Sequence, residues 1–213
     1  MKCQTSARSS AGFVRYLSLG LVFTVWGCGV TGGDEEQVVD QRPDPESDPQ
    51  LIFWSSLEDL CGQAFEGQVT ESVPPDPAFE SMSIIMHVRS CDLAEIRIPF
   101  HVGEDRSRTW VVTPTSSGLR LKHDHRHTDG TADEISEYGG DTRGQGEPTI
   151  QDFLADEFTA RLVPEAALNV WTLEVRRGEV FAYQLRREGE ARRFRVEFDL
   201  SRPAEVPPPP WGG

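Results

Sequence analysis

Lysine is almost absent from this chain: Lys2 and Lys122 are the only two, and arginine supplies the rest of the fixed positive charge. Positive charge is itself scarce, 21 Lys and Arg against 35 Asp and Glu, a formal charge of −14. A chain of that sign repels nucleic acid and anionic lipid headgroups, so no nucleic-acid partner is expected. The chain also lacks a long apolar run. Tyr16 to Trp26 spans 11 residues, where a membrane-crossing helix needs about 20. There is no Gly-x-Ser-x-Gly, no phosphate loop, no dinucleotide fingerprint and no His-Glu-x-x-His. No serine or cysteine nucleophile stands out, and the reading leans away from an enzyme.

The N-terminus carries an address. Lys2, Arg8 and Arg15 precede the apolar run, and no acid occurs before Asp34. A basic head, a short apolar body and Gly27 before a cysteine are the marks of a cleaved signal, residues 1–27. The arrangement resembles a bacterial lipoprotein signal, in which Cys28 becomes the lipidated first residue. Trp26 departs from the small residue usual two places before that cysteine, and a plain secretory signal is the alternative. Gly29 follows Cys28 where an inner-membrane retention signal has aspartate. The expected place is therefore the bacterial cell envelope, at the outer membrane facing the periplasm or the exterior, or else the secreted fraction. The bilayer is then a partner through the lipid. Cleavage removes Lys2, Arg8 and Arg15 and no acid, taking the formal charge from −14 to −17.

Of four cysteines, Cys3 leaves with the signal and Cys28 takes the lipid. Cys61 and Cys91 remain, an even pair in an oxidising compartment, which predicts a disulfide. Neither belongs to a Cys-x-x-Cys metal pair.

Residues 28–50 are acidic and poor in large apolar side chains, which predicts a disordered tether. Residues 204–213 hold Pro207-Pro208-Pro209-Pro210 and Trp211, either a loose tail or a strap docked through Trp211. Residues 51–203 are left for one domain. Ser55 and Glu58 match a capping box, with Leu57, Leu60, Cys61 and Ala64 at helical spacing. Asp156 to Ala167 is a second short helix, interrupted by Pro164. Elsewhere period two rules: Met82, Ile84, Met86 and Val88; Ile96, Ile98, Phe100 and Val102; Trp110 and Val112; Leu119 and Leu121; Trp171, Leu173 and Val175; Phe181, Tyr183 and Leu185; Phe194, Val196, Phe198 and Leu200. Opposite faces are polar, as in antiparallel sheets with one dry face. Turn signals such as Ser117-Gly118, Asp129-Gly130, Arg177-Gly178 and Glu188-Gly189 separate the strands. The fold expected is all-β: an antiparallel up-and-down barrel, or a sandwich, of about 8–10 strands with one or two short helices.

The run from Arg97 through Pro99, His101 and Arg106 to Trp110 is distinctive. So are Gly118 to His127, Tyr138-Gly139-Gly140-Asp141, Phe194 to Leu200 and the Trp211-Gly212 end. Together, over most of 61–213, they resemble a family of exported bacterial proteins. The resemblance implies no activity. The barrel is also similar to the calycins, the lipocalin-like ligand binders, at the level of fold alone.

His123, His125 and His127 alternate on one strand and share a face with Leu119 and Leu121. Two of them can meet a zinc or copper ion if His87, His101, Asp129 or Glu134 supplies a third ligand; a polar barrel rim is the alternative, with no cofactor. Arg106 and Arg108, beside Glu104 and Asp105, either neutralise their own loop or clamp a ligand carboxylate. Met86, Phe100, Trp110, Trp171 and Tyr183 would line a dry interior able to hold an apolar or amphipathic small molecule. Three functions compete: a non-catalytic binding module, a structural envelope protein with a filled interior, and a metal protein.

Overall fold

The computed structural model describes residues 47–213. The signal, Cys28 and the tether up to residue 46 lie outside the described residues.

Asp48 caps helix α1 (Pro49–Glu58), its carboxylate accepting the Gln50 and Leu51 amides. Proline at the first helical position suits the helix, having the right φ and no amide to satisfy. The Ser55–Glu58 box, expected to open a helix, instead forms the last turn of one. Leu60 and Cys61 lie in the turn that follows, and Ala64 begins a strand. Phe53, Trp54 and Leu57 of α1 are buried in the core.

Eleven strands follow: β1 (Ala64–Val73), β2 (Ile84–His87), β3 (Ser90–Cys91), β4 (Ile96–Val102), β5 (Asp105–Thr115), β6 (Gly118–His125), β7 (Tyr138–Thr142), β8 (Ile150–Ala155), β9 (Asn169–Arg176), β10 (Val180–Arg187) and β11 (Arg193–Ala204). A single helical turn α2 (Pro77–Glu80) follows β1, and α3 (Glu157–Leu162), capped by Asp156, follows β8. Neighbours in the chain pair antiparallel from β4 to β11, β11 pairs back onto β1, and β2 joins β1 to β4. The ring is a closed up-and-down barrel of ten strands, with β3 appended to β4. Closure leaves no free edge in the ring.

The alternating residues fill the inside. Ile84, Met86, Ile96, Ile98, Val112, Leu121, Leu173, Val175, Val196 and Phe198 are buried in one apolar cluster with α1. Met82, expected to start this pattern, lies outside β2 and is 51% exposed. Strands β1, β7 and β8 were not legible as strands. Strand β1 breaks its alternation with irregularities at Phe65/Gly67 and Val69/Glu71. Strand β7 contains Gly139 and Gly140, which the β6 and β8 backbones approach closely. A Cβ on Gly140 would fall on the Leu154 carbonyl oxygen.

The outside of the barrel is laced by cross-strand ion pairs: Arg120 with Asp141, Lys122 with Asp156, Arg186 with Asp152, and Arg195 with Glu174. An apolar inside and a charged outside is the inverse of a membrane-spanning barrel. No described helix is long and apolar enough to cross a membrane.

Cys61 and Cys91 form a disulfide, Cα atoms 6.2 Å apart. It joins the turn after α1 to β3. The C-terminal residues form a strap. It leaves β11 where Ala204 pairs with Ala64, and Trp211 N–H donates to the Arg106 carbonyl at 3.1 Å. The Arg106 guanidinium donates to the Pro209 carbonyl at 2.9 Å.

Candidate functional site

The barrel has unlike ends. At one end α1 lies against β8 and β9, its Gln50 amide donating to Thr142 Oγ1 at 3.0 Å. The other end gathers the end of β6, the starts of β7, β9 and β11, and α2. There a cavity of about 170 Å³ is bounded by Asp76, Phe79, Phe100, Arg108, Thr109, Trp110, His123, His125, Tyr138, Tyr183, Leu185, Arg192 and Phe194. A shallower groove of about 420 Å³ adjoins it, sharing His125, Tyr138, Tyr183, Leu185 and Arg192 as a common wall.

Aromatic rings make the cavity. Phe100 stacks on Trp110 at 4.6 Å between centroids, and Trp110 on Tyr183 at 4.5 Å. From α2, Phe79 packs on Phe100 at 6.2 Å and edge-on to Phe194 at 5.2 Å. The Arg108 guanidinium lies over the Phe79 ring at 5.6 Å and pairs with Asp105 at 2.5 Å. Such offset and edge contacts add about 0.5–1.5 kcal/mol each beyond the area they bury.

The polar members are fixed by one another. His123 Nδ1 faces the Tyr138 carbonyl at 3.1 Å and Nε2 faces the Tyr183 hydroxyl at 2.9 Å. A carbonyl only accepts, so Nδ1 carries the proton and the Tyr183 hydroxyl donates to Nε2. The Tyr138 ring stacks flat on His123, 4.5 Å between centroids. Burial drives the His123 pKa down to about 3, with Lys122 and His125 adding to the effect against the Tyr138 carbonyl. Burial likewise raises Tyr138 to about 12 and Tyr183 well above its ordinary value. His125, 3.3 Å from the Tyr138 hydroxyl, is lowered by burial and then by the Arg108 charge. At neutral pH these groups are neutral and donate or accept hydrogen bonds.

The three alternating histidines part company. His123 and His125 end β6 and face the cavity, whereas His127 lies beyond the strand. His127 sits 3.8 Å from Asp133 and 3.7 Å from Glu134, through opposite ring nitrogens. Among the described residues those three side chains bring possible metal-ligating atoms within 4.8 Å of one another. Asp129 turns its carboxylate to Thr131 instead. His87 and His101 sit on β2 and β4 next to the inward Met86 and Phe100, so they face outward. They are nonetheless buried, and burial lowers both, His101 to about 4.

The arginine pair parts too: Arg108 lines the cavity, while Arg106 serves the strap. Of the expected apolar lining, Phe100, Trp110 and Tyr183 bound the cavity, Trp171 bounds the groove, and Met86 is packed in the core away from both. Asp76, Phe79, Thr109, Tyr138, Leu185, Arg192 and Phe194 complete the cavity wall without having been singled out for it. Tyr183 and Leu185 share an alternating face, the signal by which Leu185 could have been added.

Fold and cavity together define a closed, interior-packed β-barrel with one open, aromatic end. Comparison with models of protein families, with curated proteins and with solved structures finds no match for this chain.

Proposed function

We propose that this chain is an exported, lipid-anchored β-barrel module that binds a small apolar or amphipathic molecule at its open end, without catalysis. The observation that carries the reading is the cavity of about 170 Å³ walled by Phe79, Phe100, Trp110 and Tyr183, with a few fixed polar groups among the rings. A dry cavity of ~150 Å³ takes up benzene, so this one suits a single ring or a short branched chain. Burial makes His123 a weak base and both tyrosines weak acids, far from the operating pH, which supports binding over acid–base chemistry. The calycin likeness supports ligand binding as fold analogy only. Anchoring rests on the order of charge, apolar run and Cys28.

A structural role without ligand is favoured by one observation, the filling of the middle of the lumen by the Trp110–Tyr183 stack. Native mass spectrometry of protein purified from its own envelope separates the two. A copurifying small mass supports binding; a clean mass of the bare lipoprotein supports the structural role. Metabolic labelling with a palmitate analogue tests the anchor. Labelling that survives Cys28→Ser removes this site, and no labelling of the native chain points to plain secretion.

A further inference from the structure

The charges at the open end are unevenly used. Arg106 is held by the Pro209 carbonyl, Arg108 by Asp105, Arg186 by Asp152, and Arg187 by Asn169. Arg193 donates to the backbone at Glu190 and Arg192. Arg192 differs. It bounds both the cavity and the groove, and among the described residues its guanidinium enters no hydrogen bond or ion pair. Its charge is close enough to act on the Tyr183 hydroxyl at the cavity wall. With Arg108 paired to Asp105, Arg192 is the cation of the cavity wall left without a salt-bridge partner among the described residues, and Asp76 is the acid in that wall. The groove beside it carries Asp133 and Glu165, which disfavour an anion there.

We infer that the open-end cavity takes a small carboxylate-bearing ring, with the ring between Phe79, Trp110 and Tyr183 and the carboxylate at the rim on Arg192. The inference rests on the proposal that this cavity is a ligand site. A guanidinium offers a planar fork that matches a carboxylate in two hydrogen bonds. Arg192 is exposed and its guanidinium has no partner among the described residues, so pairing removes no existing bond. Arg108, neutralised by Asp105, lies over Phe79 and holds that wall of the cavity in place. Thr109, His123, His125, Tyr138 and Tyr183 are further polar members of the cavity wall.

The test is calorimetric titration of the secreted Cys28→Ser form of the full chain with sodium benzoate and with benzyl alcohol, a ring of similar size without the charge. Benzoate is expected to bind roughly tenfold more tightly, the worth of a charge-assisted hydrogen bond at a partly exposed site. The preference should weaken as ionic strength rises from ~0.05 M to ~0.3 M. Arg192→Gln should bring benzoate down to the affinity of the alcohol and leave the alcohol unchanged, and Arg192→Lys should keep part of the preference. Thermal unfolding of both variants verifies that the barrel is intact, as expected for an exposed side chain. Equal binding of the two probes, or a benzoate affinity indifferent to Arg192→Gln, overturns the carboxylate while the cavity stands as a ligand site. Binding of neither probe overturns both.

Discussion

Trp110 on β5 and Tyr183 on β10 stack with ring centroids 4.5 Å apart and planes 14° from parallel. In the ring order these two strands are diametrically opposed, so the contact crosses the whole lumen. Below it the interior is packed through to α1; above it lies the open cavity. The stack is therefore the floor of the site and the lid of the core.

Trp110→Ala removes that floor. The variant should lose about 3–5 kcal/mol, the usual cost of truncating a buried large aromatic, read as a shift in urea midpoint at unchanged slope. If it still folds, it should accept two-ring probes that the native cavity excludes. A loss well under 1 kcal/mol would show that the stack does not carry the packing described.

Protonation of His123 should unfold the barrel in a defined window. In the folded chain its pKa lies near 3; in an unfolded chain it is about 6.5. Between those values the unfolded state holds a proton that the folded state refuses, so lowering pH favours unfolding. Stability should fall by roughly 1.4 kcal/mol per pH unit from about pH 6 downward on account of this side chain. Asp124 acts elsewhere. Burial raises its pKa, but hydrogen bonds from Arg126 and Arg97 outweigh that and hold it below 3.8, so its contribution is lost only at still lower pH. Denaturant titrations at pH 7, 6, 5 and 4 should show the slope. His101, lowered to about 4, and His87 and His125, lowered by burial, add to it, so His123→Gln should reduce it by roughly 1.4 kcal/mol per pH unit without abolishing it. An unchanged slope in the variant would remove His123 as its cause.

The Cys61–Cys91 bridge closes a span of 30 residues that includes β1 and β2. Chain-entropy estimates give about 3–4 kcal/mol for such a loop, a model-dependent figure. Paired Cys61→Ala and Cys91→Ala substitutions should lower stability by that order, with the mouth cavity still able to bind because the bridge sits at the far end. Non-reducing peptide mapping gives the independent reading: two alkylatable thiols in native protein would contradict the pairing.

Gly140→Ala should be among the most damaging single-methyl changes in the chain. The added Cβ meets backbone, the Leu154 carbonyl, which has no rotamer by which to move aside. Its neighbour Gly139 is gripped from α3, Thr159 Oγ1 accepting from its N–H and donating to its carbonyl, both at 2.7 Å. Pushing β8 away would loosen Tyr138 and, with it, the His123 stack. The expected result is insoluble or protease-sensitive protein. Native-like yield and melting would show that β7 and β8 have slack.

Alternation along Ile96 to Val102, Trp171 to Val175 and Phe194 to Leu200 placed the dry face correctly, because a strand's side-chain period is fixed by backbone geometry. Closure into a barrel followed from sequential hairpins. What alternation does not contain is height. Trp110 and Val112 both point inward from β5, yet Val112 is packed in the core and Trp110 borders the cavity. Height depends on register and on which end α1 fills, and α1 was itself displaced toward the N-terminus by the Asp48–Pro49 start. For the same reason the histidines looked equivalent. The strand ends at His125, and nothing in the pattern His-x-His-x-His marks that end. Arg192 lies in a turn between two strands, where no periodicity applies; its unpaired state emerges only from the partners its neighbours take.

The central claim is that the open end of the barrel, and not the helix-covered end, receives the ligand. Indole N–H resonances report both ends at once, since Trp110 and Trp171 line the open end while Trp54 lies on α1. Titration of isotope-labelled protein with benzyl alcohol should shift the Trp110 and Trp171 signals along one saturable curve and leave Trp54 in place. A saturable shift of Trp54 with Trp110 unmoved, or no shift of any indole at millimolar probe, would contradict the account.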